Sequence, residues 1–160
     1  MSDFATVWTL SRQRLVETIS DLNEAQLNWR LHGQALSIGQ MAVHVAGVEV
    51  SFAFQLLGLE LDEDAKRLKS AAADGVVNDK PSPFSDSELT PQRVQELLAF
   101  AKNLLTPVMT DPSPELLAKE IVSALGVVIT GEGALARLAI HPAYHQGQAY
   151  LIRTSPGFPG

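Results

Sequence analysis

The sequence predicts an all-α fold: a four-helix bundle with a long crossover connection between its second and third helices. Four long segments carry apolar residues at the three- and four-residue intervals that place them on one face of an α-helix. Two extended connections separate these segments, as in bundles with long crossovers. The sequence has no internal repeat, and no segment of useful length alternates apolar and polar residues in the manner of a half-buried strand.

The first helix is predicted from Phe4 to about Leu22, with apolar residues at helical spacing. Its charged residues, including Arg12, take the opposite side. A connection with one helical turn follows over residues 23–34, and its Trp29 is expected to pack on the bundle.

The second helix begins with a capping box, Ser37-Ile38-Gly39-Gln40, in which the serine and glutamine side chains satisfy free backbone N–H groups. It extends to roughly Leu57. An irregular crossover follows over residues 58–90, with a short exposed helix within residues 62–73. This crossover is either a lid over a pocket or simply a long connection.

The third helix starts at Thr90-Pro91, an N-cap followed by proline at the first helical position. Pro107 is expected to end or kink it. The connection over residues 111–125 contains a start signal for a short helix at Ser113-Pro114-Glu115. The apolar run over residues 127–129 is too short to establish a strand.

Composition limits the classes of function. The 160 residues, of which 46% are hydrophobic, are expected to form a single domain over residues 1–160. A net charge of −6 and 12 scattered lysines and arginines disfavour nucleic acids and anionic membranes as partners. The lack of cysteine, of a signal-peptide pattern and of an 18-residue apolar run favours a cytoplasmic protein.

The fourth helix, predicted from a Thr130 cap to about Arg153, holds the most informative motif. His141 and His145 are four residues apart and therefore lie one above the other on a helix face. That face is the one predicted to be buried, because its residues follow alternating steps of four and three. The residues of this face are Ala134, Leu138, His141, His145, Gln148 and Ile152.

Two interpretations of this histidine pair remain open. The pair can bind a metal ion, which uses both lone pairs at once, or it can line a small wet cavity and form hydrogen bonds there. His44, on the edge of the apolar stripe of the second helix, would complete a three-histidine set with an open coordination position, the arrangement typical of catalytic sites. Gly47 leaves room beside it for a neighbouring backbone or a ligand. His32 is expected to be solvent-exposed.

Pro142 distinguishes the motif from the His-Glu-x-x-His sequence of metalloproteases, because it occupies the position of the glutamate that would act as general base. Peptidase chemistry of that type is disfavoured. The proline also removes a backbone donor, so the helix is expected to be kinked or locally opened there.

Other polar residues near the predicted site have open roles. Gln148 either orients a bound water or substrate, or accepts a hydrogen bond from a histidine N–H. Gln40 is one turn before His44 but is expected to be used by its capping box, and Tyr144 is expected to pack with its hydroxyl in water. No carboxylate is placed by spacing to act as a base, and Glu49 is expected on an exposed face, as is Glu132.

Taken together, these motifs resemble the DinB-like superfamily of four-helix, metal-dependent proteins, which includes thiol-dependent transferases and isomerases. The resemblance covers nearly the whole chain and is most specific at His141-Pro-Ala-Tyr-His145-Gln-Gly147-Gln148. It implies that His44, His141 and His145 bind a divalent ion, commonly zinc or nickel, and that the protein is a homodimer. The family often has an acidic residue in place of Pro142 and arginine in place of Gln146, so no role is carried over at these positions.

Two functions are consistent with this sequence. The first is a metal-dependent enzyme acting on a small-molecule substrate, in which the ion lowers the pKa of bound water or of a small thiol. The resemblance implies transfer of a low-molecular-weight thiol as its reaction, with hydrolysis second. The second function is a non-catalytic, stress-associated homodimer whose metal only holds the helices together.

Overall fold

The protein is mostly helical, as predicted. A computed structural model describes residues 2–160. In this part of the chain the α-helices are α1 (Asp3–Ile19), α2 (Glu24–Asn28), α3 (Ile38–Leu57), α4 (Glu63–Ser70), α5 (Pro91–Thr110), α6 (Pro114–Ala118) and α7 (Gly131–Arg153). The strands are β1 (Glu120–Val122) and β2 (Val128–Thr130).

The long helices α1, α3, α5 and α7 correspond to the four predicted from apolar spacing. Helix α1 packs mainly along α7, and α3 packs along α5 and also contacts α7. The predicted N-caps are confirmed, because Ser37, Thr90 and Thr130 each accept a hydrogen bond from the first turn of their helix. Trp29 packs edge-on against Phe158, with ring centroids 5.6 Å apart.

Two prolines, Pro107 and Pro142, lie inside long helices. Helix α5 continues beyond Pro107 to Thr110, and α7 remains α-helical on both sides of Pro142. The helix end expected at Pro107 and the local opening expected at Pro142 were therefore wrong, whereas the kink expected as the alternative at each proline stays a prediction. A proline removes only one intrahelical donor, and packing of the buried faces on both sides of it offsets this loss.

A small antiparallel hairpin was not predicted. Strand β1 pairs with β2, with Ile121 opposite Ile129. Each strand has three residues, and only Ile121 among them is buried, so neither leaves a period-two pattern in the sequence. The hairpin lies beside α3, since Gln55 hydrogen-bonds to both backbone groups of Val122.

The crossover packs tightly on α3, in contrast to the exposed helix predicted there. Within α4, Ala65 and Leu68 are buried. Gly47 of α3 permits this packing, because a Cβ at that position would lie 2.6 Å from the Leu68 carbonyl oxygen and 2.8 Å from the Ala72 nitrogen. The space at Gly47 is thus filled by neighbouring backbone, one of the two occupants expected for it.

We expect Gly47→Ala to destabilise the fold by about 1–3 kcal/mol, because the added methyl group must displace backbone rather than a flexible side chain. Gly147→Ala is the matched control. No atom lies within 4 Å of a Cβ there, so alanine should stabilise helix α7 by up to about 1 kcal/mol. Urea unfolding of both variants measures the two effects. Equal stability of the two variants would contradict the close approach of α4.

A buried ion pair joins three of the long helices. Glu49, 1% exposed, accepts hydrogen bonds from the Trp8 indole at 2.8 Å and from the Arg12 guanidinium at 2.8 and 2.9 Å. Arg12 also donates to the carbonyl of Leu98 on α5. The prediction that Arg12 and Glu49 lie on exposed faces was wrong, because the two charges are buried as a pair and satisfy each other's hydrogen bonds.

Helix α3 is the most apolar of the long helices. Among the helices of the described residues, only α3 has the length and the composition that could span a membrane. Polar residues interrupt its apolar sequence. However, 72% of its 18-residue apolar window is buried against the rest of the protein, as in the core helix of a soluble protein.

Candidate metal centre

Helices α3 and α7 bring three histidines to one point. His44 comes from α3, and His141 and His145 are stacked one turn apart on α7. The centroids of the three rings lie 4.6–5.1 Å apart. His44 and His145 are 5% and 4% exposed. The predicted convergence of these three histidines is therefore present. The fourth histidine, His32, is exposed, as expected, and lies outside the cluster.

The spacing of the ring nitrogens fits a metal ion. One nitrogen from each histidine lies within 4.8 Å of the other two, and the Nε2 atoms of His141 and His145 are 3.1 Å apart. Two nitrogens bound to a tetrahedral zinc ion, each at about 2.0–2.1 Å, are separated by about 3.4 Å. Small rotations of the side chains would therefore bring the cluster to the spacing that an ion requires.

The crossover orients the first of these imidazoles. His44 Nδ1 lies 3.0 Å from the carbonyl oxygen of Ala71, which follows directly on α4. Since a carbonyl can only accept, Nδ1 carries the proton and Nε2 keeps its lone pair free for a ligand bond. This hydrogen bond resembles the outer contacts that fix the tautomer of metal-binding histidines.

The other two imidazoles have unsatisfied polar atoms around them. The Nδ1 atoms of His141 and His145 are buried without hydrogen-bond partners, as is Oε1 of Gln148. Buried polar atoms without partners are rare in stable folds and often mark a place for a ligand, ion or water. Gln148 thus lies at the site, as predicted, but forms no well-aligned hydrogen bond there.

All three imidazoles are held in the neutral form. Burial lowers the pKa of His141 to about 3, and repulsion by the other two imidazoles adds to the effect. Burial also lowers the pKa of His145 to about 4, with His44 contributing in the same direction and Gln148 opposing it. Burial lowers the pKa of His44, whereas its bond to Ala71 acts in the opposite direction. The neutral form is the one that binds metals.

These shifts predict that acid destabilises the metal-free protein. Because the folded-state pKa values lie below the ordinary value of 6.5, the unfolded chain takes up protons first. Stability should be fully present above pH 6.5 and fall as the pH drops toward about 4, by about 1.4 kcal/mol per pH unit for each such histidine. Urea unfolding in a chelator at pH 7 and pH 5 measures this. His145→Gln should reduce the pH dependence and His32→Gln should not; equal slopes in the two variants would contradict the assignment.

Gln40 and Tyr144 were also predicted to lie near the site. Gln40 closes the capping box with Ser37, and within the described residues its side chain forms no hydrogen bond with the cluster. Tyr144 is largely exposed and packs edge-on against His145, with ring centroids 5.0 Å apart, which agrees with the predicted packing role. Glu132 is exposed, as expected.

A cavity of about 190 Å³ opens beside the cluster. His44 and His141 form part of its wall, together with Arg137 of α7 and Ser123 of the hairpin. Sequence reasoning missed both of these residues. Arg137 could have been found, because it is one turn before His141 on the same helix. Ser123 follows the unpredicted strand β1, and nothing in the sequence points to it.

This structure is that of a helical protein with a candidate divalent-metal site: three histidines from two helices, two of them buried and one half-buried, meet beside a cavity. The family model of the DinB superfamily matches residues 8–149. The chain therefore belongs to the DinB superfamily, which confirms the resemblance inferred from the histidine motif. A search of the curated proteins found no match, and neither did a search of the solved structures.

Proposed function

We propose that this protein is a metal-dependent enzyme of the DinB superfamily that acts on a small molecule bound beside the three histidines. One observation carries the proposal: His44 and His141, two of the three clustered imidazoles, also form part of the wall of an open cavity. A purely structural metal site is normally closed by four protein ligands, whereas a catalytic site keeps a position open toward its substrate.

In this proposal His44, His141 and His145 hold a zinc or nickel ion. A divalent ion bound there supplies Lewis acidity, which lowers the pKa of a water or a small thiol toward neutrality. The chain's own residues prepare the site. Ala71 fixes the His44 ring through its carbonyl oxygen, and burial keeps the imidazoles unprotonated at neutral pH, so protons do not compete for the ligand nitrogens.

We propose transfer of a low-molecular-weight thiol to an electrophile as the reaction, with hydrolysis as the second candidate. Family membership supports this order, and the apolar character of the cavity wall suits a weakly polar substrate. No carboxylate lines the cavity within the described residues, so proton transfer there would depend on the bound nucleophile itself rather than on a separate general base.

The wider architecture belongs to the same proposal. We assign α1, α3, α5 and α7 to a single DinB-type four-helix bundle in a cytoplasmic protein, with residues 58–90 as its crossover. A homodimer through α7 is part of this proposal, because Ile140, Tyr144 and Leu151 share one helix face and are each more than 60% exposed.

Metal removal tests the proposed function. Protein freed of metal by a chelator should keep its helical circular dichroism but lose turnover with a panel of small thiols and esters, and restored zinc or nickel should return it. Activity that survives complete metal removal would contradict the enzyme proposal. If chelation abolishes folding and no substrate in the panel is turned over, the non-catalytic metal-binding alternative replaces it.

A further inference from the structure

We propose that the cavity beside the histidines binds a small carboxylic acid with an apolar body, and that Arg137 pairs with its carboxylate. This inference rests on the proposed function, since it names the substrate class of the same site. It depends on three features: the cavity is small with a mostly apolar wall, the guanidinium of Arg137 has no partner, and the buried hydroxyl of Ser123 has no hydrogen-bond partner.

The cavity accommodates an apolar group of limited size. Most of its wall is apolar, with side chains from α3, the crossover and the hairpin: Val48, Phe52, Ala72, Val77, Ala124 and Leu125. A dry cavity of about 150 Å³ is large enough for benzene. At about 190 Å³, this cavity therefore suits one ring or a short branched chain. Val77 and Leu125 are exposed, and such a ligand would cover part of their apolar surface.

Arg137 is the charged residue in the wall of this cavity. Five other arginines pair with carboxylates: Arg12, Arg30, Arg67, Arg93 and Arg153. In the described structure Arg137 has no ion pair and no hydrogen bond, and no aspartate or glutamate lines the cavity with it. The guanidinium is thus available to an anion although the whole chain carries a net charge of −6.

The chemistry of this guanidinium favours a carboxylate over a phosphate. Two parallel N–H groups of one guanidinium match the two oxygens of a carboxylate. A phosphate dianion needs more donors than one arginine supplies, and apolar walls would leave its other oxygens unsatisfied. The carboxylate would pair with Arg137 on α7, while the apolar body contacts the walls beside it.

Ser123 supplies a second polar contact. This residue is 6% exposed, and its Oγ is buried without a hydrogen-bond partner. A buried hydroxyl without a partner destabilises a fold, so its position in the cavity wall is expected to serve a ligand or a bound water. We assign Ser123 as a donor to a polar oxygen of the same ligand.

The test measures binding, independently of turnover. Benzoate and its neutral analogue benzamide are titrated by calorimetry into zinc-treated and metal-free protein, using wild type, Arg137→Gln and Arg14→Gln. Arg14 is the matched control, since it is also an exposed arginine without an ion pair but lies on α1 outside this cavity. We expect Arg137→Gln to weaken benzoate binding by about tenfold or more, with benzamide binding and zinc content unchanged and Arg14→Gln like wild type.

Several outcomes would overturn this inference. It fails if benzoate binds equally to wild type and Arg137→Gln, if benzamide binds wild type as tightly as benzoate, or if inorganic phosphate displaces benzoate at equal concentration. These results leave the proposed metal site standing when zinc is still retained. Conversely, Arg137-dependent benzoate binding by a protein that takes up no zinc would support the carboxylate site and contradict the proposed metal-dependent function.

Discussion

Glu49→Ala should destabilise the protein by about 3–5 kcal/mol, as much as the loss of a large apolar side chain from the core. Removal of the carboxylate leaves the Arg12 guanidinium buried without a counter-ion, and the Trp8 indole loses its acceptor as well. The loss should exceed that of an ordinary buried hydrogen bond, because an unpaired charge keeps its full desolvation cost. Urea unfolding at pH 7 measures the change in free energy of unfolding.

Two controls separate the buried charge from general loss of packing. Replacing both partners with apolar residues, Arg12→Met with Glu49→Leu, should recover most of the lost stability. Glu63→Ala, which breaks an exposed pair with Lys66 on α4, should change stability by less than about 1 kcal/mol. If Glu49→Ala were as mild as Glu63→Ala, the ion pair would not be buried between the helices as described.

His145→Ala should reduce the affinity for zinc or nickel by more than about 100-fold, because even the residues that only support metal ligands are worth 10- to 100-fold. His145 is buried and its ring lies against both of the other imidazoles, so its loss leaves two ligand nitrogens and a small void. Metal content after dialysis against a weak competing chelator measures this effect.

Two comparisons make the His145 experiment specific. His32→Ala removes an exposed histidine outside the cluster and should leave metal content unchanged. His145→Ala should keep its helical circular dichroism, since only one buried ring is lost. Equal metal retention by His145→Ala and wild type would show that the ion is bound elsewhere or not at all.

The sequence was sufficient for the helices and for the histidine cluster. A periodicity of 3.6 places His141 and His145 on the buried face of α7, and the same periodicity places His44 at the edge of the stripe on α3. N-cap residues located the starts of α3, α5 and α7, because capping depends on side chains within the first turn. These features are local, so they leave a pattern in a single sequence.

What the sequence did not reveal depends on contacts between distant segments. The Arg12–Glu49 pair was missed because a charged residue is expected on the surface unless an oppositely charged partner is known. Here the partner is 37 residues away in the sequence, so no local pattern indicates it. The Ala71 carbonyl was missed because backbone groups have no residue signature. The hairpin that carries Ser123 has strands too short for periodicity to detect.

X-ray absorption spectroscopy of the zinc-loaded protein, purified without a histidine tag, tests the three-histidine site most directly. We expect one ion per chain, with three imidazole nitrogens at about 2.0–2.1 Å, recognised by scattering from the outer atoms of their rings, and an oxygen ligand at the remaining position. His44→Ala should lower the imidazole count or abolish binding. A wild-type spectrum with fewer than three imidazoles, or one that His44→Ala leaves unchanged, would contradict the assignment of His44, His141 and His145 as a metal centre.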